Sequence, residues 1–418
     1  MTLPPLQVDI ERLTSELERL ATFSDCPEPP PAVTRVVFSE TDLRARAYLG
    51  ELYADAGLQV WVDPIGNTFA RWQGSDPQAP AVGTGSHTDA IPHAGMYDGT
   101  VGVLGGLEAI RTLQRAGFVP RRSMDVVMFT SEEPTRFGIG CTGSRALAGL
   151  LSPEKMQNLL DAEGDNYDIV RQRAGFTGEL SEIPLSQDHY HAWVELHIEQ
   201  GPLLERSRIP IGVVTAIAAP ATAVFHVAGI GGHAGGVLMP GRRDALCAAA
   251  EMVVAIERLA LETGGADLVA TVGQLEVHPG AVNSIPSRAR FTLDLRDIDG
   301  TNRDRLLTAM TDATLAIATR RQVDLTFELL NADPPASSDE TILTAIRAAC
   351  RESQLEFQEM ISRAYHDTLF MARVVPMGMI FIPCRGGVSH RPDEFSTPEQ
   401  IAAGVEVLAR TLAALAGG

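Results

Sequence analysis

One stretch constrains this chain more than any other: Gly83–Gly106, GTGSHTDAIPHAGMYDGTVGVLGG. Ala81 and Val82 lead into it as a buried strand does when it runs into a loop. Val101–Thr112 leaves it with helical spacing of apolar residues. Between them stand His87 and Asp89, a loop containing Pro and Gly, and the pair Asp98-Gly99. A strand, a loop and a helix in this order form the unit of an open α/β sheet, whose ligands bind in the crevice beyond the strand ends. An imidazole and a carboxylate converging there suit a divalent metal, with Asp89 placed to hold the His87 tautomer from behind.

The remaining strands repeat the pattern. Ser123–Thr130 is almost continuously apolar, as in a sheet covered on both faces, and it delivers Glu132-Glu133 into the loop that follows. His189–Glu199 ends near His197, and Met377–Ile382 leads through two glycines to His390. Three imidazoles with two or three carboxylates hold two cations when one carboxylate bridges. Asp98 is the bridging candidate, with His87 and His197 completing one site and Glu133 and His390 the other. Glu132 adjoins a ligand and is placed to act as a general base.

Helices are expected over 8–24, 41–57, 152–172, 339–353, 368–374 and 398–415, and 58–62 with 69–72 forms a hairpin around the turn 63–67. The Gly-rich run 138–149 signals either tight packing or an anion-accepting turn. From about Val214 the order becomes strand, helix, two strands, helix, strand: 222–227, 243–263, 268–277, 289–297, 301–320 and 323–330. The expected organisation is therefore an α/β catalytic domain over 1–213 and 331–418, its mixed sheet lying between helices. A βαββαβ lid or dimerisation domain over 214–330 interrupts it. Within that insert, Arg296 lies on an apolar strand. It either pairs with Asp294 or Asp297, or presents a fork to a substrate carboxylate.

The formal net charge of −19 argues against nucleic acid or an anionic membrane as partner. The five cysteines are scattered and odd in number, which suits free thiols in a reducing cytoplasm. No apolar run of membrane-spanning length and no signal-like start is seen.

The motifs HTD (87–89), SEEPTRFG (131–138), ELHIEQGP (195–202), GGHAG (231–235) and GGVSH (386–390) resemble the M20 metallopeptidase superfamily. More narrowly they resemble its hydantoinase/carbamoylase amidase branch. HPGAVNSIPS (278–287) and ISRAYHDTLFMAR (361–373) are most similar to the ureidoglycolate amidohydrolases within that branch. The resemblance covers nearly everything from residue 40 onward. It implies metal ligands His87, Asp98, Glu133, His197 and His390, Glu132 as base, and Asp89 as the partner of His87. It further implies His233 at the tetrahedral oxyanion, Gln200 near a ureido group, His366 close to the substrate, and Asn283 and Arg296 as substrate contacts. Gly232 stands where many relatives carry Asn. The expected reaction is cleavage of a carbamoyl C–N bond in a small ureido acid, with ureidoglycolate ahead of N-carbamoyl-L-amino acids, allantoate and N-acyl or dipeptide substrates. The expected cofactors are two divalent ions, manganese before zinc, cobalt or nickel, and the expected assembly is a homodimer.

Overall fold

The computed structural model describes residues 4–263 and 265–417. The chain divides into two compact units: Met1–Thr215 with Ser337–Ser362 and His366–Gly418, and Ala216–Ala336 with Arg363–Tyr365.

The first unit is α/β. Four strands run parallel side by side in the order Met377–Ile382, Tyr190–Ile198, Ala81–His87, Met124–Phe129. Antiparallel strands extend this core on both sides. Thr68–Trp72 and Gln59–Val62 form the expected hairpin on one side, and Ile211–Ile217 lies on the other. Every residue of Ala81–His87, Met124–Phe129 and Met377–Ile382 is buried, which is why these segments read as apolar runs without alternation. Helices Thr100–Arg115 and Pro398–Ala416 share a core with them through Leu104, Leu107, Val405 and Leu408. Because the four central strands are parallel, their carboxyl ends lie on one edge of the sheet. His87, the Glu132-Glu133 loop, His197 and the loop carrying His390 all leave from that edge.

Two local expectations need correcting, and one that allowed two outcomes takes the first of them. Ala90–Ala94, expected as loop because of Pro92 and Gly95, is a strand paired with Val33–Arg35. That long-range pairing leaves no local signal. Residues 152–172 hold two short helices, Pro153–Asn158 and Tyr167–Arg173, separated by a turn in which Asp161 accepts main-chain N–H groups of Glu163 and Asp165. The Gly-rich run resolves to tight packing: a Cβ on Gly143 would stand 2.2 Å from Asn67 Oδ1.

The second unit is an antiparallel sheet with two helices, Ala245–Thr263 and Gly300–Arg321. Its long strands are Ala219–Ala228, Arg288–Asp297 and Asp324–Ala332. Along Arg288–Asp297 the alternate residues Ala289, Phe291, Leu293 and Leu295 are buried in a core shared with Met252, Ile256, Leu306 and Met310. Arg290, Asp294 and Arg296 therefore stand on the opposite face. The strand expected over 268–277 is broken into Val269–Thr271 and Leu275–His278. Thr271 faces Asp294 while Leu275 faces Phe291, so one extra residue bulges at Gly273.

Candidate metal centre

Asp98 is the hinge of the site. Its Oδ1 lies 3.5 Å from His87 Nε2 and 3.2 Å from His197 Nε2. Its Oδ2 lies 3.4 Å from His390 Nε2, which is itself 3.2 Å from Glu133 Oε1. One carboxylate thus serves two clusters, His87–Asp98–His197 and Asp98–Glu133–His390, each with donor atoms within 4.8 Å of one another. The remaining contacts fix the donors. Nδ1 of His87 stands 3.0 Å from the carbonyl of Asp89, and Nδ1 of His197 stands 2.9 Å from the carbonyl of Ile198. Each Nδ1–H donates outward and leaves Nε2 bare toward Asp98, as metal-binding imidazoles require. The main-chain N–H of Gly99 donating to His197 Nε2 at 3.2 Å fits that tautomer. Imidazole and carboxylate donors in this mixture fit borderline divalent cations without selecting one.

Asp89 does more than the sequence suggests, and by a different route. Its main-chain oxygen, not its carboxylate, holds His87; the nearest carboxylate oxygen is 3.9 Å from Nδ1. The carboxylate instead accepts the main-chain N–H groups of Glu132 at 3.2 Å and Glu133 at 3.0 Å. Burial pushes its pKa up to about 6. Between His87 and Asp89, the carbonyl of Thr88 accepts from the buried Arg35 guanidinium at 2.8 Å. Gly99 is equally constrained: φ is +66°, and a Cβ there would lie 2.5 Å from the His87 ring. No other residue satisfies both demands.

Glu132 stands outside both clusters. Its Oε2 is 3.7 Å from His87 Nε2, and burial, partly offset by the His87 charge, holds its pKa well above the usual carboxylate range. A carboxylate that prefers its proton, beside a cluster of metal donors, suits general acid–base work. Asp98 is the opposite case. Burial works to raise it, but His197, His390 and His87, which bond and attract the carboxylate whenever they carry a proton on Nε2, outweigh that and hold it well below its ordinary value. Hydrogen bonds with Asp98 and Glu133 push His390 up to about 11. Among the described residues, four of the nine non-glycine residues with positive φ lie in these loops: Ser131, Cys141, Gln200 and His390, between 54° and 58°. Left-handed backbone at such residues is strain that the surrounding sheet must hold in place.

The profile of peptidase family M20/M25/M40 matches residues 83–414. The chain belongs to this family. Membership makes it a metal-dependent hydrolase, and the expected α/β fold with a mixed sheet between helices is the one observed. The M20 chain is 50% identical to a ureidoglycolate hydrolase of Oryza sativa subsp. japonica, over 98% of its own length and 86% of the relative's. It is 40% identical to an N-carbamoyl-L-amino acid amidohydrolase of Geobacillus stearothermophilus, over 98% and 99% of the two chains. The crystal structure of AtUAH in complex with glyoxylate superposes with a TM-score of 0.87 at 50% identity, covering 98% of each chain.

Around the candidate donors of this M20 chain lie groups that the motifs did not single out. Glu394 accepts the main-chain N–H groups of Tyr97 at 2.9 Å and Asp98 at 3.0 Å, and its other oxygen meets the Ser389 hydroxyl at 2.9 Å. Ser389 Oγ is also 2.8 Å from Asp98 Oδ2. Little in the local sequence marks Glu394, since its main-chain partners Tyr97 and Asp98 are almost three hundred residues away. Glu195 was visible in principle, two residues from His197 on the same face of its strand. With His197 and His366 it makes a third donor cluster. Its oxygens, however, already accept from Ser86 Oγ at 2.8 Å and from the N–H and hydroxyl of Thr368 at 3.1 and 2.5 Å.

The residues expected to meet substrate are placed unevenly. Gln200 donates from Nε2 to Asp98 Oδ2 at 2.7 Å, while its buried Oε1 has no partner among the described residues. His366 is buried behind the cluster, its ring 4.6 Å from that of His197 and its Nε2 2.9 Å from Ser362 Oγ. In the second unit His233 and Asn283 are exposed and adjacent: Gly232–His233 pairs with Ser284–Ile285, and Ala234 N–H donates to the Asn283 carbonyl. Arg296 is already engaged, with Nε and Nη2 on Asp294 at 2.7 and 3.1 Å and Nη1 on the carbonyl of Arg363. It lies at the far end of the strand that begins at Arg288, beside the hairpin of His233 and Asn283. The eight steps from residue 288 to residue 296 span about 26 Å.

Proposed function

We propose that this chain is a two-cation amidohydrolase whose substrate is ureidoglycolate, cleaved at the carbamoyl C–N bond to give, in the end, glyoxylate, ammonia and carbon dioxide. The observation that carries the reading is Asp98, which turns one oxygen to His87 and His197 and the other to His390. Two bound cations, of which manganese is our first choice before zinc, cobalt or nickel, supply Lewis acidity and make a water acidic enough to be deprotonated near neutral pH. The residues of the chain do the rest. Glu132 takes a proton from the attacking water and returns it to the departing amine, and Asp89 keeps the Glu132–Glu133 peptide in place while it does so. The amide of Gln200, with one end unpartnered, is suited to a ureido group. His233 stabilises the developing oxyanion, and Asn283 and Arg296 meet the carboxylate end, with His366 supporting the substrate side of His197.

A small ureido acid cannot touch both ends of the second unit at once. Arg296 and the His233–Asn283 hairpin of a single chain therefore serve different sites, and a homodimer in which each insert reaches the partner's site supplies what one chain lacks. An acidic enzyme with free cysteines and no helix, among the described residues, long and apolar enough to cross a membrane fits a cytoplasmic reaction on a small molecule. Neither nucleic acid nor membrane is needed as a partner.

The test is a panel of ureidoglycolate, N-carbamoyl-L-amino acids, allantoate and N-acyl amino acids, assayed for ammonia release with manganese present. Ureidoglycolate is expected to give the highest kcat/KM. The 40% identical relative favours N-carbamoyl-L-amino acids as the second reading, and a higher kcat/KM on one of those would install it. Light scattering is expected to give twice the chain mass; a monomer at micromolar concentration would remove the shared-site arrangement.

A further inference from the structure

The base has an unassigned companion. Cys141 Sγ lies 3.3 Å from Glu132 Oε1, in a buried position. The companion is delivered by the main chain. The N–H groups of Cys141, Thr142 and Gly143 donate in turn to the carbonyls of Glu132, Ser131 and Thr130, at 2.7, 2.9 and 2.8 Å. This zipper closes the loop 133–140 on itself. It draws helix Thr142–Leu147 against the strand end, and the left-handed backbone of Cys141 turns its side chain toward the base. Gly140 lets the strands of the zipper approach, because a Cβ there would meet the Glu132 carbonyl at 2.6 Å.

We propose that Cys141 is a positioning residue for Glu132: its S–H holds Oε1 and so aims Oε2 at the metal side. This rests on Glu132 being the general base. The two oxygens of Glu132 have different surroundings, Oε1 on the thiol and Oε2 at 3.7 Å from His87 Nε2. A carboxylate free to rotate about its last torsion would spend time with neither oxygen aligned for proton transfer. When Glu132 is ionised, as it must be to act as a base, the bond from the thiol is charge-assisted and roughly twice as strong as a neutral one, which offsets the weakness of sulfur as a donor. Burial and the neighbouring Glu132 charge push the thiol well up, so it keeps the proton it donates.

The test compares Cys141→Ala with Cys141→Ser in the metal-loaded enzyme. Alanine is expected to lower kcat by ~10-fold or more, the scale on which small misplacements of a catalytic group act, with KM and metal content as in the parent. Serine, which restores a donor at the same point, is expected to stay within about threefold of the parent. In a Glu132→Gln background Cys141→Ala should cost nothing further, because the thiol acts only through the base. An independent readout needs no turnover. The S–H stretching band of Cys141, assigned in metal-free protein by difference against Cys141→Ser, should move toward that of a weakly bonded thiol on Glu132→Gln. Full kcat in Cys141→Ala, or a band that ignores Glu132→Gln, overturns the proposal. A parent enzyme that hydrolyses nothing in the substrate panel would overturn the functional reading instead, and the infrared comparison would still decide the hydrogen bond, including where the alanine variant fails to fold.

Discussion

The two units hold their polar residues in opposite ways. In the first, His87, Asp98, Glu133 and His197 are at most 9% exposed, and each answers to a second residue that fixes it. In the second, His233 and Asn283 lie open and Arg296 is paired to its own neighbour Asp294. The first arrangement is finished before any substrate arrives, and the second waits for a partner group. Donors for a cation must be preorganised because burying unpaired charge is expensive. Groups that recognise a ligand can remain solvated until binding supplies their contacts.

The most severe break of that contrast is Asp98→Ala. It removes the shared oxygens, so metal analysis should fall from two ions per chain to below one and hydrolysis to background; retention of both ions would show that Asp98 does not bridge. Glu132→Gln comes next. It should cost about 10²–10⁴ in kcat while leaving two ions bound, and loss of metal would reassign Glu132 as a ligand.

The second unit is probed by mixing inactive chains. Glu132→Gln subunits combined with His233→Ala subunits, and separately with Arg296→Ala subunits, form heterodimers with one complete site only where the lid residue acts across the interface. Random exchange would return about a quarter of parent activity in that case. Because Arg296 lies at one end of the strand Arg288–Asp297 and the His233 hairpin lies beside the other, recovery is expected in one mixture and not in the other. Recovery in both would place them at the same end in effect, and the single-chain geometry would then be wrong.

The smallest effect concerns protons. His390 in the metal-free protein is raised to about 11 by Asp98 and Glu133, above its unfolded value of 6.5. A group raised on folding stabilises the metal-free fold fully below that unfolded value and ceases to do so as pH rises through the folded one. A cation needs the same nitrogen bare, so metal uptake should release a proton and affinity should weaken as pH falls through the neutral range. Calorimetry in buffers of differing ionisation enthalpy measures that release.

The convergence of the five expected donors was legible because they follow strands that are themselves legible, and Asp98-Gly99 announces a turn that only glycine completes. What stayed hidden depends on separations the sequence does not display. Ser86 meets Glu195 across 109 residues and Asp98 meets Glu394 across 296. Ala90–Ala94 is a strand only because Val33–Arg35 comes to meet it. Arg296 with Asp294 was foreseeable as one of two outcomes, since residues two apart on a strand share a face.

Asp89 joins the two clusters at a second point. Its carbonyl holds a ligand of one cluster and its carboxylate holds the peptide that carries a ligand of the other. Ordering either cluster therefore orders the other. Metal loading should be cooperative, rising as a single sigmoid rather than in two steps, and singly occupied protein should be a minor species at every concentration of the ion.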